Sequence, residues 1–160
     1  MKAHLSLWTL GAALVLTQGC TVEDDPETTF PSDYRGSTHK KKNCTYTQGY
    51  WKNHVEHWPG NTATLVGCGQ TWPENLETPP AGDAFYILSH QWITTTLNRA
   101  QGAASTPELN EALLEAGAIL YDCEITEDEH EAAIAFAEYF DAFNNGEWGP
   151  GHCDDVLGDD

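Results

Sequence analysis

The sequence predicts an all-α fold: a small disulfide-stapled helical bundle, three main helices plus a short N-terminal helix, after a signal peptide and a disordered tether. Three observations predict it. Apolar residues recur at helical spacing between residues 84 and 143, and each stretch opens on an Asp or Thr able to accept from first-turn amides. Four cysteines lie between residues 44 and 153. A length of 160 residues, 40% of them apolar, suits one ordinary domain.

The first element is an address. Met1-Lys2-Ala3-His4 is a short basic start, Leu5–Leu16 is an apolar run broken by Ser6, Thr9 and Gly11, and Thr17-Gln18-Gly19-Cys20 closes it. The run is too short to span a bilayer, so 1–19 reads as a signal peptide. The Gly19-Cys20 junction resembles the lipobox of bacterial lipoproteins, with Leu16 one place earlier than usual. That resemblance implies acylation of the Cys20 thiol and a membrane contact through the lipid, in an exported, outer-membrane-attached lipoprotein of the cell envelope. Ordinary signal-peptidase cleavage, leaving Cys20 as a plain residue, is the alternative.

Five cysteines leave one odd thiol, which lipidation of Cys20 removes. An oxidising compartment then favours two disulfides over a thiolate metal site or nucleophile. Cys44, Cys68, Cys123 and Cys153 allow three pairings. Cys44 with Cys153 and Cys68 with Cys123 is favoured, because an outer bridge clamps both ends of the domain; its long loop is worth up to ~4.7 kcal/mol in the chain-entropy model.

Residues 20–43 are the acylated Cys and its tether, poor in aliphatics and rich in Asp, Glu, Thr, Ser and Pro. Lys40-Lys41-Lys42 is outweighed by acids in the same stretch and reads as a solvated spacer. Asn43-Cys44-Thr45 matches the N-glycosylation pattern, a chance match in a bacterial lipoprotein.

The helical module occupies 44–153, and 154–160 is an acidic tail. Thr47 caps a short helix from Gln48 to His54, which Pro59-Gly60 ends. Residues 61–82 carry Gly and Pro without helical period and form a connection, with an extended piece at 64–68 and one turn at 73–76. Asp83 caps a helix from Ala84 to about Ala103, with Ala84, Phe85, Ile87, Leu88, Trp92 and Leu97 inward. Thr106 caps the next, with Pro107 at its first position and Leu109, Leu113, Leu114, Ala116, Ala118 and Leu120 inward. Thr126-Glu127-Asp128-Glu129 is a capping box opening a helix to Phe143, with Ala133, Phe136, Ala137, Phe140 and Phe143 inward. Asn145-Gly146 stops it.

Cys44-Thr45-Tyr46-Thr47-Gln48-Gly49-Tyr50-Trp51-Lys52-Asn53-His54, followed by His57-Trp58-Pro59, resembles a recurring module of exported bacterial proteins that begins C-T-x-T-Q-G-Y-W-K-N-H and continues to W-P. Thr78 to Asp83, Leu88-Ser89-His90-Gln91, Leu97-Asn98, Asn144-Asn145-Gly146 and the closing His152-Cys153 share the likeness. The resemblance implies an outer Cys44–Cys153 bridge and no assigned activity.

Residue chemistry narrows the function. A net charge of −18 repels phosphates and offers few cations for counterion release, so no nucleic-acid partner is expected. Ser89 and His90 are adjacent on a helix and diverge, and no Gly-x-Ser-x-Gly elbow is present. Asp141 to Gly146 fails as a calcium loop because Phe143 occupies a ligand position. Glu56, Glu74 and Glu77 are the acids nearest to a glycosidase pair, in a chain short for such a cleft. No catalytic residue is nominated.

His54 and His57, three apart, with His90 and His152, are the candidate zinc or copper ligands, beside Glu56. The competing expectation places His54 and His90 in the core, in a polar network with Gln48, Asn53, Gln91 and Asn98. Tyr50, Trp51, Trp72 and Trp148 are the candidate ligand-binding aromatics, with Trp72 and Trp148 expected at the surface because Pro and Gly flank them. The leading expectation is a non-catalytic lipoprotein presenting a rigid acidic, aromatic module to an envelope protein or polysaccharide, with no cofactor. The rival is a His-based metal-binding or metal-dependent hydrolytic domain.

Overall fold

A computed structural model describes residues 43–60 and 66–153; the leader, Cys20, the tether to residue 42 and the tail 154–160 lie outside the described residues. Five α-helices appear among these: α1 Gln48–Asn53, α2 Trp72–Glu77, α3 Ala84–Gln101, α4 Pro107–Tyr121 and α5 Glu127–Asn144. Short 3₁₀ turns stand at Val55–His57 and Gly67–Gly69, and a one-rung parallel bridge pairs Thr45 with His152. The class is all-α, as expected.

Each main helix starts where its punctuation lies. Thr47 Oγ1 accepts from the Tyr50 N–H, Asp83 from Phe85 and Thr106 from Leu109. At Thr126 the box closes reciprocally: Glu129 Oε2 accepts from the Thr126 N–H at 3.0 Å while the threonine side chain takes the Glu129 amide. Thr71 builds a second box with Glu74, and Pro73 fits its first turn. The expected turn at 73–76 is therefore a full short helix. Of the extended piece expected at 64–68, Val66 is extended but Gly67 and Cys68 belong to a 3₁₀ turn, and 64–65 lie outside the described residues.

α3 is the central helix. It packs chiefly on α5 and also meets α4, α2 and α1. Its Leu88 and Ile93 are fully buried against Trp51, Leu76, Leu109, Phe140 and Phe143 of the surrounding core, themselves fully buried. Because neighbours surround it, α3 also buries Ser89, His90, Thr94, Thr95 and Asn98, beyond the apolar stripe its sequence shows. On α4 the buried row is Leu109, Leu113, Ala116 and Leu120. Leu114 and Ala118 were expected inward and are exposed, because steps of three and four from Leu109 leave them on the solvent side. Ile87, Trp92 and Phe136 are half-buried against the core.

Both favoured disulfides are present. Cys44–Cys153 joins the ends of the module and Cys68–Cys123 ties the connection to the end of α4. The outer bridge lies beside the Thr45–His152 rung, where the Cys153 N–H donates to the Thr45 carbonyl at 2.9 Å and the Thr45 N–H donates to Gly151. Asn43 already belongs to this end, since its side chain accepts from the Ala104 N–H at 2.8 Å. Gly146, at φ +75°, turns the chain back toward that rung; a Cβ there would collide with the His152 amide nitrogen.

Candidate functional site

Three side-chain arrangements emerge from this framework. The first is a buried relay across α1, α2, α3 and α5. Asn98 Oδ1 accepts from the Tyr46 N–H at 2.8 Å and from Trp51 Nε1 at 2.9 Å, while its amide donates to the Tyr46 carbonyl and to Asn144 Oδ1. Asn144 donates to Gln91 Oε1, Gln91 to Gln48 Oε1, and Gln48 Nε2 to His90 Nδ1 at 2.9 Å. His90 Nε2 donates to the Asn75 carbonyl at 2.8 Å, which fixes the imidazole as the Nε2–H tautomer. Burial pushes His90 below the ordinary histidine range, and the Asn75 carbonyl only partly opposes it. With both ring nitrogens engaged and the ring buried, His90 holds the core together and has no lone pair for a metal.

The second arrangement is a ladder of rings running from just before α1 to the 3₁₀ turn after it. Tyr46 stacks on Tyr50 at 3.8 Å, Tyr50 meets His54 at 4.6 Å, and His54 stacks on His57 at 5.3 Å. Glu56 joins the imidazole end, with Oε1 3.3 Å from His54 Nδ1 and 3.9 Å from His57 Nε2. Its own backbone amide, then His54, hold the Glu56 carboxyl below its ordinary range. The three side chains are about half-exposed or more.

The third is an apolar groove of about 500 Å³ between α4 and α5, lined by Glu108, Ala112, Ala132, Ala135, Phe136 and Tyr139. Small alanines on both helices leave the gap, and two half-buried rings wall it. Tyr139 stacks on Trp148 at 4.8 Å, with Phe143 beneath the indole.

The expected four-histidine set is not brought together. Only His54 and His57 converge; His90 is in the core, and His152 sits at the terminal rung with its ring nearly perpendicular to that of Tyr46. In the alternative network, Gln48, Gln91 and Asn98 take their places around His90, whereas His54 is half-exposed and Asn53 only caps the Gly49 carbonyl. Two aromatic expectations need correction. Trp72 is buried, because the Thr71 box makes it the first residue of α2 and seats it between Trp58 and Trp92. Trp51 is wholly buried and spends its indole N–H on Asn98. Trp148 and Tyr50 keep partly open faces. Sequence reasoning missed the groove, whose signal was Ala112 facing Ala132 and Ala135 with aromatics at 136 and 139.

Among the described residues no helix is long and apolar enough to cross a membrane. Compared with known proteins, the chain matches no family model, no curated protein and no solved structure.

Proposed function

We propose that the chain is an exported cell-envelope lipoprotein, anchored through acylated Cys20, whose module binds an envelope protein at the α4–α5 groove and performs no chemistry of its own. The observation that carries this reading is the groove itself, apolar along most of its lining and edged by Phe136 and Tyr139. A sugar needs partners for its hydroxyls, and the groove offers chiefly the Glu108 carboxylate; apolar side chains of a protein suit it better. Two disulfides and a satisfied polar relay hold the site in one shape, so association loses little conformational freedom. The leader, the odd-cysteine parity and the disulfide pairs support the anchor and the oxidising compartment.

Photocrosslinking from intact envelopes tests the groove. With Phe136→benzoylphenylalanine a discrete protein adduct is expected, absent from the same probe at the exposed Glu138 and abolished when Ala112→Trp fills the groove. No adduct, or one that survives the filling, overturns the site. For the anchor, radiolabelled fatty acid should enter the wild-type chain and not Cys20→Ser; equal labelling of both removes the lipoprotein reading.

A further inference from the structure

The turn that follows α1 carries a different kind of site. We propose that His54, Glu56 and His57 bind one divalent transition-metal ion, zinc or copper(II), at the surface of the module. The chain itself creates the convergence. α1 ends at Asn53, His54 leaves helical geometry at φ −131° and ψ 54°, and the 3₁₀ turn Val55–His57 folds the chain back so that the His57 N–H donates to the His54 carbonyl at 2.9 Å. His54 and His57 therefore face each other with ring planes 8° apart, and Glu56 reaches between them. One donor atom from each of the three lies within 4.8 Å of the others, and no second trio of this kind occurs among the described residues.

The spacing suits a small ion. Bonds of about 2.1 Å in a tetrahedron put neighbouring donors ~3.4 Å apart. Glu56 Oε1 stands 3.3 and 3.9 Å from the two imidazole nitrogens and all three donors lie within 4.8 Å of one another, so closure needs movements of up to about 1.4 Å to reach that tetrahedral spacing and a tilt of the two parallel rings toward the carboxylate. Half-exposed side chains permit that tilt. Two imidazoles and one carboxylate form a borderline donor set that selects zinc or copper over calcium or magnesium. The remaining positive charge is welcome in a chain of net charge −18. Lys52, the cation of α1, is engaged with Glu77 at 3.6 Å.

Tyr50 is the positioning residue. Its hydroxyl lies 3.0 Å from His57 Nδ1. When Nδ1–H donates to that phenol oxygen, the Nε2 lone pair facing Glu56 becomes the metal donor, the usual outer-shell device for fixing a ligating imidazole. Tyr50 is held for the task by its stack on Tyr46. Three protein donors leave at least one coordination position for water or an outside ligand.

The test uses the full, oxidised chain stripped of metal by a chelator and titrated with cobalt(II), whose visible absorption reports tetrahedral coordination; zinc and copper(II) compete in separate arms. One equivalent should bind and be displaced by either competitor. His54 and His57 ring resonances should shift while those of His90 stay fixed. His54→Ala and His57→Ala should each weaken binding at least ~10-fold, and Tyr50→Phe ~10-fold, the range for losing an outer-shell partner. The double variant His39→Ala/His130→Ala should bind like wild type. Zinc should raise the melting temperature of the wild type and of Ala112→Trp, and leave that of His54→Ala/His57→Ala unmoved. Absence of saturable binding, binding that survives His54→Ala/His57→Ala, or binding lost with His39 and His130 overturns the site. None of these outcomes bears on crosslinking at the groove.

Discussion

Asn98 shows what a single buried amide does in this molecule. Its side chain closes a two-bond clasp on the Tyr46 backbone, takes the Trp51 indole and holds Asn144, so the leading segment, α3 and α5 meet at one residue. Asn98→Ala strands those partners in the interior and should cost ~3 kcal/mol or more, measured as a fall in the denaturant midpoint. His90 gives a pH signature. Its imidazole is neutral when folded because burial depresses its basicity, whereas the unfolded chain takes up a proton near the ordinary value of 6.5. Below that pH the unfolded state binds more protons, so the stability His90 contributes is complete above about 6.5 and declines as pH falls toward its depressed folded value. The denaturant midpoint should drop between pH 7 and pH 5, and His90→Gln should flatten that slope while lowering the midpoint at pH 7. The sequence pointed to Gln48, His90, Gln91 and Asn98 as partners but not to Asn75 or Asn144. An asparagine in or ending a helix reads as a solvent residue until the opposite helix is in place.

At the scale of elements, local chemistry was legible wherever one residue decides it. The Thr and Asp caps and Gly146 mark their boundaries because each meets a backbone demand within four residues. Thr126→Ala should lower stability by ~1 kcal/mol through lost capping, read as a small fall in melting temperature with helix content unchanged. Gly146→Ala should cost more, ~2 kcal/mol, since it adds a left-handed conformation to a clash with the returning backbone; weakened amide-exchange protection at Thr45 and Cys153 would report it. Faces were harder to read than ends. Leu114 and Leu113 are chemically alike neighbours, and the steps of three and four from Leu109 that separate the covered one from the exposed one are easily lost in a run of apolar residues. Trp72 misled for a related reason: the proline beside it is a helix-starting residue, so an apparent loop aromatic is core. Cys123 follows α4 at φ +66°, a position glycine usually fills, and its bridge to Cys68 holds it there.

For the whole molecule, covalent clamps supplement a modest core. Loss of the outer bridge in Cys44→Ser/Cys153→Ser should remove up to ~4.7 kcal/mol, detectable by guanidinium unfolding of the variant beside the oxidised wild type. Parity left three pairings open and the end-clamping argument chose among them; the outer bridge closes the whole module and the inner one spans α2 to α4, while the site geometry was less accessible. Spacing brought His54 and His57 into view, but only the break at His54 and the 3₁₀ turn after it bring Glu56 beside both, and only the packed fold shows His90 in the core and His152 at the terminal rung. The terminal clamp has a mechanical consequence. The chain enters the module at Cys44 and leaves at Cys153, whose Cα atoms are 4.8 Å apart and covalently joined. Tension drawn along the polypeptide from either side would pass through that one bond, leaving every helix between the two cysteines unloaded.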